Sequence, residues 1–262
     1  MHTHAQPAIS RDYRLIVSPH LSQLPACLEL REAVFARELN WVPSSADGRE
    51  RDQFDPFSVH VAVIHRWRPA GYLRLTPHGA PWMLSECFDF LLEPGIAREF
   101  DSDSLEVSRL AVERQYRGHK QLGAFGVFDL LIKGIVDHSL NSGARYWYVV
   151  VAEPIYRLLL SKQLPCERLG PLVSMPDGVQ TLAVRIDLTA FLQVAAPFFT
   201  SRPLKHVDEA AEARQKQARK RSLRVVNEHS EPVFNDESAT QVVFQQPASA
   251  DHGPAREKAL AS

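Results

Sequence analysis

The chain has 262 residues, 45% of them hydrophobic and 23% charged, a composition suited to a soluble globular protein with one large domain or two small ones. A formal charge of -1 supplies no overall pull toward nucleic acid or an anionic membrane, so neither is expected as a partner. Cys27, Cys87 and Cys166 stand far apart with no CxxC spacing, which argues against a disulfide framework and a thiolate metal site.

Residues 1–15 lack a basic segment followed by an apolar one, and no apolar run is long enough to span a bilayer. A cytoplasmic location is the expectation. Residues 1–10 read as a flexible start and residues 11–203 as one mixed α/β domain. In that domain, residues 23–41 place Leu24, Leu28, Val34 or Phe35, and Leu39 at helical spacing. Residues 57–65 and 70–77 read as two strands, residues 81–92 as short helices, and residues 104–112 as a central strand. Residues 121–143 form an apolar-faced helix closed by Gly143. A buried strand over 144–152, a helix over 153–164 with Pro154 in its first turn, and a strand over 181–188 complete the order. Strands first paired, then alternating with helices, predict a mixed sheet with helices packed against it. Residues 204–262 are polar and charged, with a basic segment over 214–224, and are expected to be disordered.

Two features resist a purely structural reading. The stretch DGRERDQFDPFS places Glu50, Asp52 and Asp55 just ahead of the first of those strands. In SLEVSRLAV, strict alternation puts Leu105, Val107, Arg109 and Ala111 on one face and Glu106, Ser108 and Leu110 on the other, so each face carries a charge. Buried charge in a central strand is costly unless it is paired or faces a cavity. A β-bulge between Glu106 and Arg109 would bring both to one side and open a slot beside the strand. A structural ion pair across the sheet is the other reading. Arg74, mid-strand between Leu73 and Leu75, poses the same problem. With Arg31 it supplies a cation for a buried network, in which guanidiniums grip carboxylates two bonds at a time.

In order and spacing, these residues resemble the acyl-homoserine-lactone synthases, also called autoinducer synthases. The resemblance rests on Arg31, Phe35 and Trp41 in an RxxxFxxxxxW series and on Glu50, Asp52 and Asp55 in ExDxxD. It continues through Arg74 in GYLRL, PWMLSECF ending at Phe88, and EVSR with Glu106, Ser108 and Arg109. It runs from about Arg31 to Val112, with weaker similarity to about Leu188.

The resemblance implies a GNAT-like fold, a three-layer α-β-α sandwich whose central mixed sheet splays around an acyl-pantetheine chain. It implies transfer of an acyl group from acyl-acyl carrier protein, or acyl-CoA, to the amine of S-adenosylmethionine, then lactone closure with loss of methylthioadenosine. No metal and no permanently bound cofactor are implied. An ammonium cannot attack a thioester, so a carboxylate must take its proton, with Glu50 the first candidate and Glu106 the second. Arg31, Arg74 and Arg109 hold the acidic loop or engage the substrate carboxylate, and Asp52 and Asp55 contact substrate or shape that loop. Trp41 and Phe35 wall the pocket. Arg114, Arg117 and Lys120, with Gly118 and Gly123, loosely resemble the pyrophosphate turn of that fold and are candidates for carrier-protein or pantetheine contact. His119 is read as exposed.

The strand YWYVVVAEP has no threonine where some relatives that use 3-oxoacyl chains place one, which points to an unsubstituted acyl group. Two competing readings are an N-acyl amino acid synthase on the same scaffold, which would use a free amino acid and form no lactone, and a non-catalytic GNAT-like binding module.

Overall fold

Three consecutive apolar residues, Leu15, Ile16 and Val17, form a strand that simple alternation does not reveal. This strand, β1 (Tyr13–Ser18), buries Leu15 on one side of the sheet and Ile16 on the other. The computed structural model describes residues 12–94, 100–118, 120 and 125–201. The expectations for residues 1–10 and 204–262, and for His119 and Gly123, lie outside the described residues.

The helix expected over residues 23–41 is two segments. A regular helix, α1 (Leu24–Arg31), continues as a wider π-helical segment over Glu32–Glu38. There the Leu39 N–H reaches back five residues to the Val34 carbonyl at 2.9 Å, and the Trp41 N–H reaches Phe35 at 2.8 Å. Such wide turns are frequent at functional sites.

The next elements follow the expected order, with boundaries shifted by a few residues. They are β2 (Val59–His65), β3 (Arg68–Pro77), the short helix α2 (Met83–Glu86), β4 (Ser104–Val112), α3 (Val127–Ser142), β5 (Tyr146–Ala152) and α4 (Glu153–Ser161). The chain then adds two short strands, β6 (Cys166–Arg168) and β7 (Val173–Ser174), before β8 (Gln180–Asp187), α5 (Leu188–Val194) and α6 (Pro197–Thr200). Helix α3 starts later than the spacing predicts, and Gly143 closes it with a left-handed φ of 80°.

The strands lie in the order β1-β2-β3-β4-β5-β8-β6, with β7 also paired to β8. Every pairing is antiparallel except β4 with β5. A parallel neighbour requires a crossover, and α3 supplies it. One face of the sheet packs Leu15, Val61, Leu73, Leu75, Val107 and Trp147 against α3, with Leu159 of α4 and Phe191 of α5 in the same cluster. The other packs Ile16, Ala62, Ile64, Tyr72 and Ala111 against Leu30, Val34 and Phe35 of α1 and its π-helical extension. Further along that second face, Trp82 and Leu84 meet Tyr148 and Ala183. Helices on both sides of an open mixed sheet make the expected α-β-α sandwich. Helix α3 lies so close to the sheet that a Cβ on Gly71 would meet Val127 Cγ1 at 2.6 Å, and one on Gly134 would meet Val61 Cγ1 at 2.6 Å.

Two irregularities in the middle of the sheet create the site. On β3 Tyr72 and Arg74 are two positions apart, but their partners on β4, Ala111 and Ser108, are three positions apart. Strand β4 thus carries one extra residue, and Arg109 takes the left-handed φ of 54° that accommodates it. The second irregularity is a parting of strands. Pairing of β4 with β5 runs from Ser104↔Tyr146 to Val107↔Val149 and stops there, although β4 continues to Val112 and β5 to Ala152. Of the two readings of the charges in SLEVSRLAV, the structure has a bulge, but between Ser108 and Ala111 rather than between Glu106 and Arg109, and pairing with the neighbouring strand ends beside it.

Candidate active site

The bulge reverses the side to which Arg109 would otherwise point and gathers it with Glu106, Ser108 and Arg74. Arg74 lies opposite Ser108 in the register and donates from Nε to its Oγ at 3.0 Å. Arg31 arrives from the last turn of α1, fully buried, as is Arg74. The acidic loop closes over these cations. Arg31 Nε donates to Glu50 Oε2 at 2.5 Å, and its Nη1 to Asp55 Oδ1 at 2.6 Å. Arg74 Nη1 pairs with Asp52 and, at 2.8 Å, with Asp55. Arg109 Nε donates to Glu50 Oε1 at 3.2 Å, and its Nη2 lies 2.8 Å from Asp52 Oδ2. Each guanidinium thus holds at least two carboxylates, Arg31 also lying 3.8 Å from Asp52, and the acidic stretch forms half of a buried charge network.

The loop also fixes itself: the Asp52 N–H donates to Asp55 Oδ2 at 2.9 Å, and the Phe54 N–H to Asp52 Oδ1 at 3.0 Å. Burial alone would raise the Asp55 pKa, but the Arg31 hydrogen bond and charge outweigh it and hold the carboxyl below its usual range. Arginine faces are used as well. The Arg109 guanidinium carbon sits 5.6 Å from the Phe35 ring centre, and that of Arg74 5.5 Å from Phe54. Trp41 stacks on Phe35 with centroids 6.1 Å apart and remains 43% exposed, which puts an open aromatic face beside the network.

Glu106 departs from the charge balance suggested by the sequence. It is buried, and among the described residues no cation lies within ion-pair distance of it. The backbone N–H groups of Leu84 and Met83, at the start of α2, donate to its two oxygens at 2.7 and 3.0 Å instead. Burial raises its pKa above the ordinary carboxylate value, against the two N–H bonds and the more distant charges of Arg74 and Arg109. Three guanidiniums therefore face four carboxylates, and the surplus negative charge belongs to Glu106. Glu50, the first candidate for proton acceptor, is gripped by two arginines.

Beyond Glu106 toward β5 lies an aromatic cluster that motif spacing only partly discloses. Trp82 stacks on Phe100 at 4.7 Å and tilts against Tyr148 at 5.5 Å, with Phe88 and Val150 packed alongside. The Tyr148 hydroxyl donates to Asp101 Oδ2 at 2.9 Å. Burial and that bond push its pKa up to about 12. Alternation in YWYVVVA places Tyr148 and Val150 on one face, but nothing in the sequence joins them to Trp82.

The basic residues after β4 divide. Arg117 clasps both oxygens of Glu38 and donates to the Val112 carbonyl at 2.7 Å, tying this loop to the π-helical segment. Arg114 and Lys120 are exposed. Among the described residues, no three His, Cys, Asp or Glu side chains gather as metal ligands, and no helix is long and apolar enough to cross a membrane.

The family profile for autoinducer synthases matches residues 19–190. The acyl-homoserine-lactone synthase of Agrobacterium fabrum (strain C58 / ATCC 33970) is 33% identical over 209 residues, which covers 75% of this chain and 96% of that protein. One from Vibrio anguillarum is 27% identical over 55% of this chain and 74% of its own. Among solved structures, TofI in a ternary complex with an inhibitor and MTA is 25% identical, with a TM-score of 0.57 over 71% of this chain and 99% of that one. The CoA-dependent acyl-homoserine lactone synthase BjaI, solved with MTA, shares the fold at 22% identity and a TM-score of 0.58, over 70% of this chain and 89% of its own. By the reach of the family match and the near-complete coverage of its Agrobacterium relative, the chain belongs to the autoinducer synthase family, the acyl-homoserine-lactone synthases.

Proposed function

We propose that this protein transfers an acyl group from a thioester, carried by acyl carrier protein or CoA, to the amine of S-adenosylmethionine and then closes the lactone, releasing methylthioadenosine. The observation that carries this reading is Glu106, a buried carboxylate with no cation partner among the described residues, just before β4 and β5 part. The substrate amine enters as an ammonium. Glu106, directly or through a water, takes its proton, and burial makes it a stronger base than an ordinary carboxylate. The free amine attacks the thioester carbonyl carbon, and as the carbon–sulfur bond breaks the surplus proton on nitrogen passes to the departing thiolate, leaving an amide and a thiol. Backbone N–H groups of the parted strands are the simplest donors to hold the oxyanion between these steps. The methionyl carboxylate then attacks its own γ-carbon, the carbon–sulfur bond breaks, and the sulfonium departs as the neutral thioether of methylthioadenosine.

The surplus negative charge of the site favours a substrate that carries a sulfonium and an ammonium. Trp41 and Phe35 wall this pocket, while Arg31, Arg74 and Arg109 hold the acidic loop, with Asp52 and Asp55 shaping it. Folding the bound methionyl chain into a lactone-forming conformation converts the second step into a favourable intramolecular reaction. The acyl chain passes between β4 and β5 toward Val150, Phe88 and the Trp82 cluster. With the Tyr148 hydroxyl committed to Asp101, these walls suit an unsubstituted chain. Arg114 and Lys120 offer exposed positive charge to an acidic carrier protein, and the reaction belongs in the cytoplasm, where both substrates are made.

The test is a mass-resolved assay with S-adenosylmethionine and a panel of acyl-carrier and acyl-CoA thioesters. Acyl-homoserine lactone together with methylthioadenosine supports the proposal and identifies the donor. Acylation of an added amino acid without methylthioadenosine would replace it with an N-acyl amino acid synthase.

A further inference from the structure

Met83 opens α2 over the face of the sheet that carries the site, and it meets the charge network from two directions. Its backbone N–H donates to Glu106 Oε2 at 3.0 Å. Its sulfur receives Arg74 Nη2 at 3.0 Å and Arg109 Nη1 at 3.1 Å. The residue is buried, so packing keeps the sulfur between the two guanidiniums. A thioether is a weak, uncharged acceptor, an unusual end point for two guanidinium donors. Glu106 stands near enough for both arginines to act on it electrostatically. A direct guanidinium–carboxylate pair is the strong arrangement, and it would make the carboxylate a poorer proton acceptor. The Met83 sulfur accepts from Arg74 Nη2 and Arg109 Nη1, guanidinium nitrogens of these two arginines that the acidic loop does not take.

We propose that Met83 is a positioning residue for the acyl transfer: its thioether holds Arg74 and Arg109 off Glu106 while its N–H orients the carboxylate as proton acceptor. The inference rests on the lactone-synthase reading and assigns this methionine a role within it. The ionisable groups facing Glu106 are Arg74 from β3, Arg109 from its own strand, Cys87 after α2 and Tyr148 at the opposed position on β5, with Asp52 behind the two arginines. Of the groups immediately around it, the arginines carry the charge that can suppress its basicity near neutral pH.

Met83→Leu keeps the volume and the N–H but removes the acceptor. With folding verified by thermal melt, kcat should fall about tenfold while KM for S-adenosylmethionine stays within about twofold. The acid limb of the kcat/KM profile should move to lower pH, because the freed guanidiniums pair with Glu106. Met83→Gln gives the arginines an amide oxygen and should return the limb to its wild-type position. A leucine variant matching the wild type in kcat and pH profile overturns the proposal, as does a glutamine variant displaced as far as the leucine one. If the leucine variant does not fold, the glutamine profile decides: coincidence with the wild type supports the role and displacement overturns it. Absence of methylthioadenosine release from the wild type overturns the parent reading and this inference with it.

Discussion

Arg109 donates to Glu50 at 3.2 Å from a backbone position with a φ of 54°, so one strained residue both aims the cation and makes the bulge that places it. The left-handed conformation disfavours a non-glycine residue there, and the ion pairs with Glu50 and Asp52 offset that cost. Arg109→Met removes the offset, leaves two carboxylates short of a cation and retains the strain. It should lower stability by about 3 kcal/mol, the lower end for breaking a buried pair, because Arg109 keeps some exposure. A thermal melt coincident with the wild type would mean the network does not hold the bulge.

The two candidate bases should respond oppositely. Glu106→Gln removes a carboxylate that burial disfavours in its ionised form, so its melting midpoint near neutral pH should equal or exceed that of the wild type. Its turnover should drop by about 100-fold or more. Glu50→Gln instead leaves Arg31 and Arg109 under-paired and should lose about 2–3 kcal/mol of stability while keeping a larger share of its turnover. Paired melts and rate measurements on both variants decide the assignment; the reverse pattern would return the base role to Glu50.

Beneath the network, His60 is buried and shares a 2.7 Å hydrogen bond with the Tyr72 hydroxyl. Burial lowers its pKa from 6.5 to about 4, with Asp55 pulling it up and Arg31 and Arg74 pushing it down. Between these values the unfolded chain takes up a proton that the folded His60 refuses. Stability should therefore fall as pH drops from 6.5 toward about 4, by about 3 kcal/mol in all. Burial acts on His138 in the same direction. Chemical denaturation across this range should show a shallower slope for His60→Gln than for the wild type; identical slopes would exclude His60 as a source.

Close packing of α3 on the sheet is tested at Gly71. A Cβ there would stand 2.6 Å from Val127 Cγ1 and 3.0 Å from Leu131 Cδ1. Gly71→Ala should cost about 1–3 kcal/mol by overpacking, measured by denaturant midpoint. An unchanged or raised midpoint would show that α3 yields without penalty.

The charged residues were legible in the sequence because they break strand rules. Arg74, Glu106 and Arg109 stand where alternation calls for apolar side chains or a cavity, and their conflict predicts the bulge. The lone standing of Glu106 was not legible. It lies opposite Thr76, two positions along from the Arg74–Ser108 pair, and the acidic loop takes the arginines before they reach it. Met83 is equally silent, since a methionine in an apolar stretch shows nothing until two guanidiniums converge on its sulfur and its own N–H meets Glu106. Strand β1 escaped because both of its faces are buried, which erases alternation, and β6 and β7 because runs of three and two residues have no period.

The most direct measurement follows methylthioadenosine and acyl-homoserine lactone together, with and without the acyl donor, in the wild type and in Glu106→Gln. One methylthioadenosine is expected per lactone, with release only when both substrates are present and near-complete loss of both products in the variant. Methylthioadenosine released without an acyl donor, or a variant as fast as the wild type, would contradict it.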